Sequence, residues 1–276
     1  MSAIKSPSTV CDIPELLELI LLHLDLRTLL TTAQSTCRAW TSLIRNSPRI
    51  QQALFFASAN HREKVYNPLL AEKFSPFFPN DSPGSEYPLF TFTACDMFKT
   101  PDQTNAFMRK EASWRRMLVQ QPPVPGIGYI KIRHAMRHTS YAQSKMTPRK
   151  QSSEPGYVRM QHLFEAMLFG SIGSYINDGA VRIRWPAHEE IESPRARREP
   201  HLEAAFERMV ARFEIVVHVQ VSVSCVRGMP APKSEKEMLR DMLRALYEKD
   251  DGDEEGGLLE EVDIKESILR DDALKE

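Results

Sequence analysis

Several helical segments follow one another near the N-terminus with almost no residues between them. Leucine and isoleucine recur at helical spacing over residues 16–24, a shorter apolar segment covers 26–33, and a further helix is predicted over 35–45. A new helix start signal then comes at Ser47, which is followed by proline. Because the connections are so short, these helices must pack directly on one another. We therefore predict a small helical module over residues 10–56.

Proline interrupts the segment that follows this module. The chain has nineteen prolines against eleven glycines, and six of the prolines lie in residues 57–110. Proline removes a backbone donor and ends helices and strands, so we predict a largely irregular linker there. We expect its aromatic side chains to hold it against a folded surface. These aromatic residues are Phe74, Phe77, Phe78, Phe90 and Phe92.

Residues 111–249 mix helical stripes with alternating strand patterns. Strands are predicted over 127–133, 181–185 and 215–225, and the polar stretch 137–155 is interpreted as an exposed loop. The 215–225 strand alternates strictly, which predicts one buried face and one wet face, as in an antiparallel sheet. The predicted class is therefore α+β, with a small antiparallel sheet in this region.

The C-terminal residues 250–276 are predicted to form an acidic tail. From Glu248 onward the chain carries thirteen acidic and four basic residues, although its formal net charge is only −1. A dense acidic run is usually a solvated segment, and it can also attract a basic partner. We interpret it as solvated.

Composition places the chain among folded intracellular proteins. Its 42% hydrophobic and 26% charged residues are ordinary values for a folded domain. The four cysteines lie far apart without a C-x-x-C pair, so free thiols in a reducing compartment are expected. The first ten residues are polar, and the longest apolar run is too charged to cross a bilayer. We predict a location in the cytoplasm or nucleus and no membrane partner.

The helical module carries a recognisable motif. Ile13-Pro14-Glu15-Leu16-Leu17, then Ile20-Leu21, and later Cys37-Arg38-Ala39-Trp40 closely resemble the F-box pattern of L-P-x-E-L, an I-L pair and V-C-x-x-W. Two further segments are similar to stretches that recur in F-box proteins of filamentous fungi. They are Asn67-Pro68-Leu69-Leu70 and the run from Glu111 to Pro123.

The resemblance implies a three-helix F-box and a non-catalytic role. F-box proteins bind a Skp-type adaptor, which links them to a cullin, and the rest of the chain binds the protein to be ubiquitinated. On this resemblance we expect a substrate receptor of a Skp–cullin–F-box ubiquitin ligase that needs no cofactor. The expected adaptor-binding residues are Ile13, Pro14, Leu16, Leu17, Ile20, Leu21, Leu24, Leu29, Cys37 and Trp40. Among these, we expect Trp40 to hold the bundle together as well.

The residues that bind the target are expected after about Gly156. The polar face of the 215–225 strand presents His218, Gln220 and Ser222, which can hydrogen-bond an unknown protein substrate. The acidic tail is the competing candidate for this role.

Other functional patterns are weaker. His134 and His138 have the spacing of two metal ligands on a helix, but no third ligand follows, so no metal site is predicted. The bases Lys145, Arg149 and Lys150 are too scattered to predict nucleic-acid binding. Two alternatives stay open: an F-box scaffold protein that acts outside a ligase, and a hydrolase-like or nucleic-acid-binding α+β domain that carries an F-box.

Overall fold

A computed structural model divides the chain into two units. The first comprises residues 1–69 and 117–123, and the second comprises residues 70–116 and 124–276. The residues that the structure describes are 13–60, 62–79, 95, 97, 99–134, 138–148, 156–176, 180–185, 200–222 and 259–270.

The first unit begins with five short helices. Their bounds are α1 (Pro14–Leu22), α2 (Leu26–Leu30), α3 (Thr32–Thr36), α4 (Arg38–Asn46) and α5 (Pro48–Ala53). Prolines at the first turns of α1 and α5 cost no hydrogen bond there. The Asp25 carboxylate caps α2 by accepting from the backbone N of Thr28 at 2.9 Å. The Ser47 hydroxyl caps α5 in the same way, with 3.2 Å to the backbone N of Ile50.

This count differs from the predicted three-helix arrangement. The backbone of Cys37 is extended, with φ −159° and ψ 167°, and it separates α3 from α4 within the segment predicted as one helix. The short helices nevertheless share one apolar core, because each turns one stripe inward. That core consists of Leu17, Leu21, Leu29, Ala33, Ile44, Ile50 and Leu54.

A pair of two-residue strands completes the first unit. β1 (Val65–Tyr66) pairs antiparallel with β2 (Gln120–Gln121), so the unit recruits residues far along the chain. Its boundaries therefore differ from the predicted module over 10–56. We predicted that residues 117–123 belong to the C-terminal region, because they are adjacent to it along the chain. In the structure they belong to the first unit.

The other elements of the described residues belong to the second unit. They are α6 (Pro68–Lys73), which begins at the boundary, a 3₁₀ turn (Ser75–Phe77), α7 (Pro101–Met108), α8 (Ser113–Arg116), β3 (Ile127–His134), β4 (His138–Pro148), α9 (Met160–Ile176), β5 (Ala180–Arg184), α10 (Pro200–Arg212), β6 (Val216–Ser222) and β7 (Leu259–Arg270). The chain thus mixes helix and strand, as predicted.

The predicted linker is more regular than its prolines suggested. Within 57–110 the structure places β1, α6, the 3₁₀ turn and α7, because Pro68, Pro76 and Pro101 lie in first turns where proline is tolerated. Phe74, Phe77 and Phe78 are buried, whereas Phe90 and Phe92 lie outside the described residues.

In the part of the chain that the structure describes, five strands form the main sheet, in the order β5-β6-β3-β4-β7. β3 and β6 are parallel, and the other three neighbouring pairs are antiparallel. The predicted strands over 127–133 and 181–185 are confirmed as β3 and β5, and the 215–225 strand as β6 up to Ser222. The sheet is mixed, because β6 returns beside β3 after a helix rather than through a tight turn.

Helix α10 packs closely on one face of this sheet. Met209 and Phe213 form a core cluster with Ile130, Ile132, Tyr141 and Val216. A Cβ atom at Gly128 would lie 2.8 Å from the Phe213 ring, so β3 needs a glycine where the helix approaches. Val217 and Val219 alternate with Val216, point to the opposite face, and are also fully buried. Both faces of β6 are therefore covered.

Two predictions about extended segments were wrong. The predicted exposed loop over 137–155 contains strand β4, whose Tyr141, Gln143 and Met146 side chains are buried. The predicted solvated tail contains β7, which pairs antiparallel with β4 from Leu259 to Arg270. Polar or acidic composition concealed both strands, because backbone pairing in a sheet does not require apolar side chains on both faces.

Candidate protein-docking site

Helix α1 has more apolar side chains than its core can enclose. Its sequence is PELLELILL, so apolar residues occur around most of its circumference. Leu17 and Leu21 face the core of the first unit and are 3% and 0% exposed. A small bundle buries only one stripe of such a helix, so the other apolar side chains must face outward.

The outward side chains form a continuous apolar surface, which we name the α1 strip. Ile13, Leu16, Leu19 and Ile20 retain 39%, 41%, 43% and 44% of their surface exposed. Leu16 follows Ile13 by three residues and is followed by Leu19 and Ile20 at three and four residues, a spacing that makes them neighbours on the helix surface. Contiguous exposed apolar side chains usually mark an interaction surface, since leaving them in water forgoes about 25 cal/mol per Å².

The ten residues expected to bind an adaptor separate into three groups in the structure. Ile13, Pro14, Leu16, Ile20 and Cys37 are exposed. Leu24 and Trp40 are half-buried and pack against the core. Leu17, Leu21 and Leu29 lie in the core itself. From the sequence we expected Leu17 to contact the partner directly. In the structure Leu17 lies on the inner side of α1, so it does not contact a partner unless the bundle rearranges.

Sequence reasoning missed Leu19 as a member of the α1 strip. The F-box pattern draws attention to the neighbouring Ile20-Leu21 pair, and Leu19 stands outside the motif positions. The signal that identifies it is geometric, since Leu19 follows Leu16 by three residues and lies on the same face of the helix.

A polar contact fixes the orientation of α1. Glu18 accepts a short hydrogen bond from the Ser47 hydroxyl and lies 3.5 Å from the Arg49 guanidinium. Ser47 is buried and also caps α5, so one hydroxyl group joins two helices. The α1 strip is consequently presented by a helix that is held on its opposite side by both apolar packing and hydrogen bonds.

A second polar network holds residues 117–123, which we name the strap, against the end of the bundle. The Leu118 N–H donates to the Phe55 carbonyl at 2.7 Å. The buried Gln121 amide donates to the carbonyls of Gln52 at 2.9 Å and Ala57 at 3.1 Å. Phe55 has a φ of 61°, a left-handed conformation that is rare for a bulky residue and is retained only where neighbours hold it.

The strap also binds the segment around Asn67. The Asn67 backbone N donates to the Val119 carbonyl at 3.0 Å, and its side-chain amide donates to the Leu118 carbonyl at 3.2 Å. The two segments that are similar to stretches of filamentous-fungal F-box proteins thus contact each other in the first unit. Their spacing along the chain gave no indication of this contact.

The expected target-binding residues do not form an open surface. His218 and Gln220 are half-buried and point to the same face of β6 as Val216, which α10 covers. Both already have interaction partners within the chain. The side chain of Ser222 lies outside the described residues. The predicted wet face of this strand was wrong, because α10 packs on the face that carries the polar residues.

His134 and His138 occupy two different strands. His134 ends β3 and His138 begins β4, so their four-residue separation is that of a hairpin and not of one helix face. Within the part of the chain that the structure describes, no three His, Cys, Asp or Glu side chains come together as a metal site would require. None of the helices described there has the length and apolarity needed to cross a membrane.

Comparison of the chain with protein-family models, with curated proteins and with solved structures found no match.

Proposed function

We propose that the first unit docks on a Skp-type adaptor through the α1 strip, and that the chain is a non-catalytic substrate receptor of a ubiquitin ligase. The observation that carries the proposal is the exposed apolar surface of α1, whose Ile13, Leu16 and Ile20 are also F-box motif positions. The motif supplies the kind of partner, and the exposure of these side chains supplies a surface for it.

The proposal assigns the motif residues two different roles. Leu17, Leu21 and Leu29 build the bundle, and the α1 strip contacts the adaptor. A protein interface of this kind depends on a few apolar anchors near its centre. Leu16 and Ile20 are one helical turn apart in the middle of the strip, so they are the expected anchors.

The decisive experiment is capture of a purified Skp-type adaptor by the double variant L16D/I20D. Burying an unpaired carboxylate in an apolar interface costs more than the about 1–3 kcal/mol of a neutral polar group, so we expect the two substitutions to weaken binding by about 100-fold or more. Both side chains are more than two-fifths exposed, so the variant should fold normally, as circular dichroism can check.

The matched control is V65D. Val65 is 42% exposed in the same unit but lies on β1, outside the α1 strip. We expect V65D to bind the adaptor as the unmodified chain does. Equal binding by L16D/I20D would refute the docking proposal. If the unmodified chain binds the adaptor normally but does not recover cullin with it, this result would instead favour a scaffold protein that acts outside a ligase.

A further inference from the structure

Helix α4 presents an outward face that consists of polar side chains. Arg38, Ser42 and Arg45 are spaced four and three residues apart, which aligns them along one side of the helix. Together with Thr41 and Asn46 they line a shallow depression of about 370 Å³ that is largely open to solvent. With a rise of 1.5 Å per residue, the two arginines are anchored about 10 Å apart along the helix axis. We name this surface the α4 cleft.

The hydrogen bonds within the α4 cleft leave donors facing outward. Thr41 donates its hydroxyl proton to the carbonyls of Gln34 at 2.6 Å and Cys37 at 3.0 Å. The Asn46 amide donates to the Ser42 hydroxyl oxygen at 3.2 Å, so that oxygen already accepts and its proton is available to a ligand. The guanidinium groups of Arg38 and Arg45 carry only donors.

Among the described residues, no carboxylate neutralises Arg38 or Arg45. In residues 13–60, all of which the structure describes, Arg49 forms an ion pair with Glu18, and neither Arg38 nor Arg45 forms one. Two guanidinium groups and one hydroxyl proton, beside the single amide oxygen of Asn46, give this surface more hydrogen-bond donors than acceptors and make it complementary to anionic groups.

We propose that the α4 cleft binds an acidic segment of a protein partner, with one carboxylate on each arginine. Carboxylates three residues apart on a peptide in the polyproline II conformation, or seven apart on a helix, lie on one side of the peptide about 10 Å apart, and so match the spacing of the arginines. A nucleic acid requires a broader positive surface. Residues 13–60 hold three acidic residues against four arginines and therefore provide no such surface.

The test measures the fluorescence anisotropy of a labelled twelve-residue peptide as the full chain is added. The peptide has glutamate at every third position, and glycine and serine fill the other positions. The same peptide with glutamine in place of glutamate is the neutral probe. We expect the double variant R38Q/R45Q to bind the acidic peptide at least about tenfold more weakly than the unmodified chain does. Each lost charge-assisted hydrogen bond contributes to this loss.

The control R27Q/R109Q also removes two exposed arginines that form no ion pair among the described residues. We expect it to bind the acidic peptide within about twofold of the unmodified chain. Equal weakening in both double variants, or equal binding of the neutral probe, would overturn the proposal. So would a single-stranded RNA that binds more tightly than the peptide at equal charge.

The inference does not rest on adaptor docking, so we expect R38Q/R45Q to capture the adaptor as the unmodified chain does. Loss of adaptor capture in this variant would overturn the assignment of a separate site.

Discussion

His162 is a buried titratable group that stabilises the start of α9. Its Nδ1 accepts a hydrogen bond from the Arg159 backbone N at 3.0 Å, three residues earlier. His162 is the third residue of α9, and it bonds back to the backbone N–H of Arg159, which directly precedes the helix. Glutamate or glutamine makes the same contact in a capping box. Burial of the ring, and secondarily the positive charge of Arg159, lower the pKa of His162 to about 4.

We expect the second unit to lose stability as the pH falls from about 6.5 to 4. The unfolded chain binds a proton on this histidine near pH 6.5, whereas the folded chain resists protonation until about pH 4. The stabilisation is therefore complete above pH 6.5 and decreases by up to about 1.4 kcal/mol per pH unit below it. Urea unfolding at a series of pH values, followed by tryptophan fluorescence, measures this slope.

The variant H162Q provides the control for this pH dependence. Glutamine offers an amide oxygen to the Arg159 N–H and does not titrate, so the slope between pH 6.5 and 4 should become shallower. An unchanged slope in H162Q would assign the acid sensitivity to other groups.

For single residues, the sequence did not show whether a side chain points into the core or outward. The leucines of α1 were correctly identified as helical, but its apolar residues occur on all sides, so periodicity does not distinguish Leu17 inside from Leu16 outside. The link from Glu18 to Ser47 joins residues far apart in sequence, and no local pattern encodes it.

Among the elements, the strap gives the sharpest prediction. Replacing Gln121 by alanine removes the donor for the carbonyls of Gln52 and Ala57. We expect the first unit to lose about 1–3 kcal/mol, because two part-buried hydrogen bonds are lost and each contributes about 0.5–1.5 kcal/mol. Hydrogen exchange of the α5 amides should accelerate by about tenfold or more. In the control Q103A, an exposed glutamine of α7, exchange in α5 should be unchanged. Unaltered exchange in Q121A would show that the strap does not stabilise the bundle.

Helices and strands could be predicted from the sequence where apolar side chains occupy the buried positions and polar side chains the others. β6 was identified because Val217 and Val219 alternate with polar residues. The strand β4 was missed, because polar Gln143 and Ser144 occupy buried positions that sequence patterns reserve for apolar side chains. β4 pairs with β3, which directly precedes it, and with β7, which comes from a distant part of the chain and which no local pattern near β4 indicates.

For the molecule as a whole, the acidic C-terminus has a structural role that its charge did not suggest. Deleting the chain after Lys249 removes β7 and leaves the long strand β4 at the edge of the sheet. An unprotected edge strand pairs with other copies, so we expect this truncation to aggregate and to elute early in size-exclusion chromatography. A chain cut after Arg270 keeps β7 and should elute as the full chain does. A monomeric, equally stable product of the cut after Lys249 would contradict the role of β7.

The strap also has a consequence for how the protein is made. The N-terminal unit draws on residues up to 69 and again on 117–123, so its last piece leaves the ribosome well after its helices. At about 5–20 residues per second, the intervening stretch takes roughly 3–10 s to synthesise. During that interval the nascent bundle lacks the groups that hold the left-handed turn at Phe55. Translation speed through this stretch therefore sets how long an incomplete unit is exposed to chaperones and proteases.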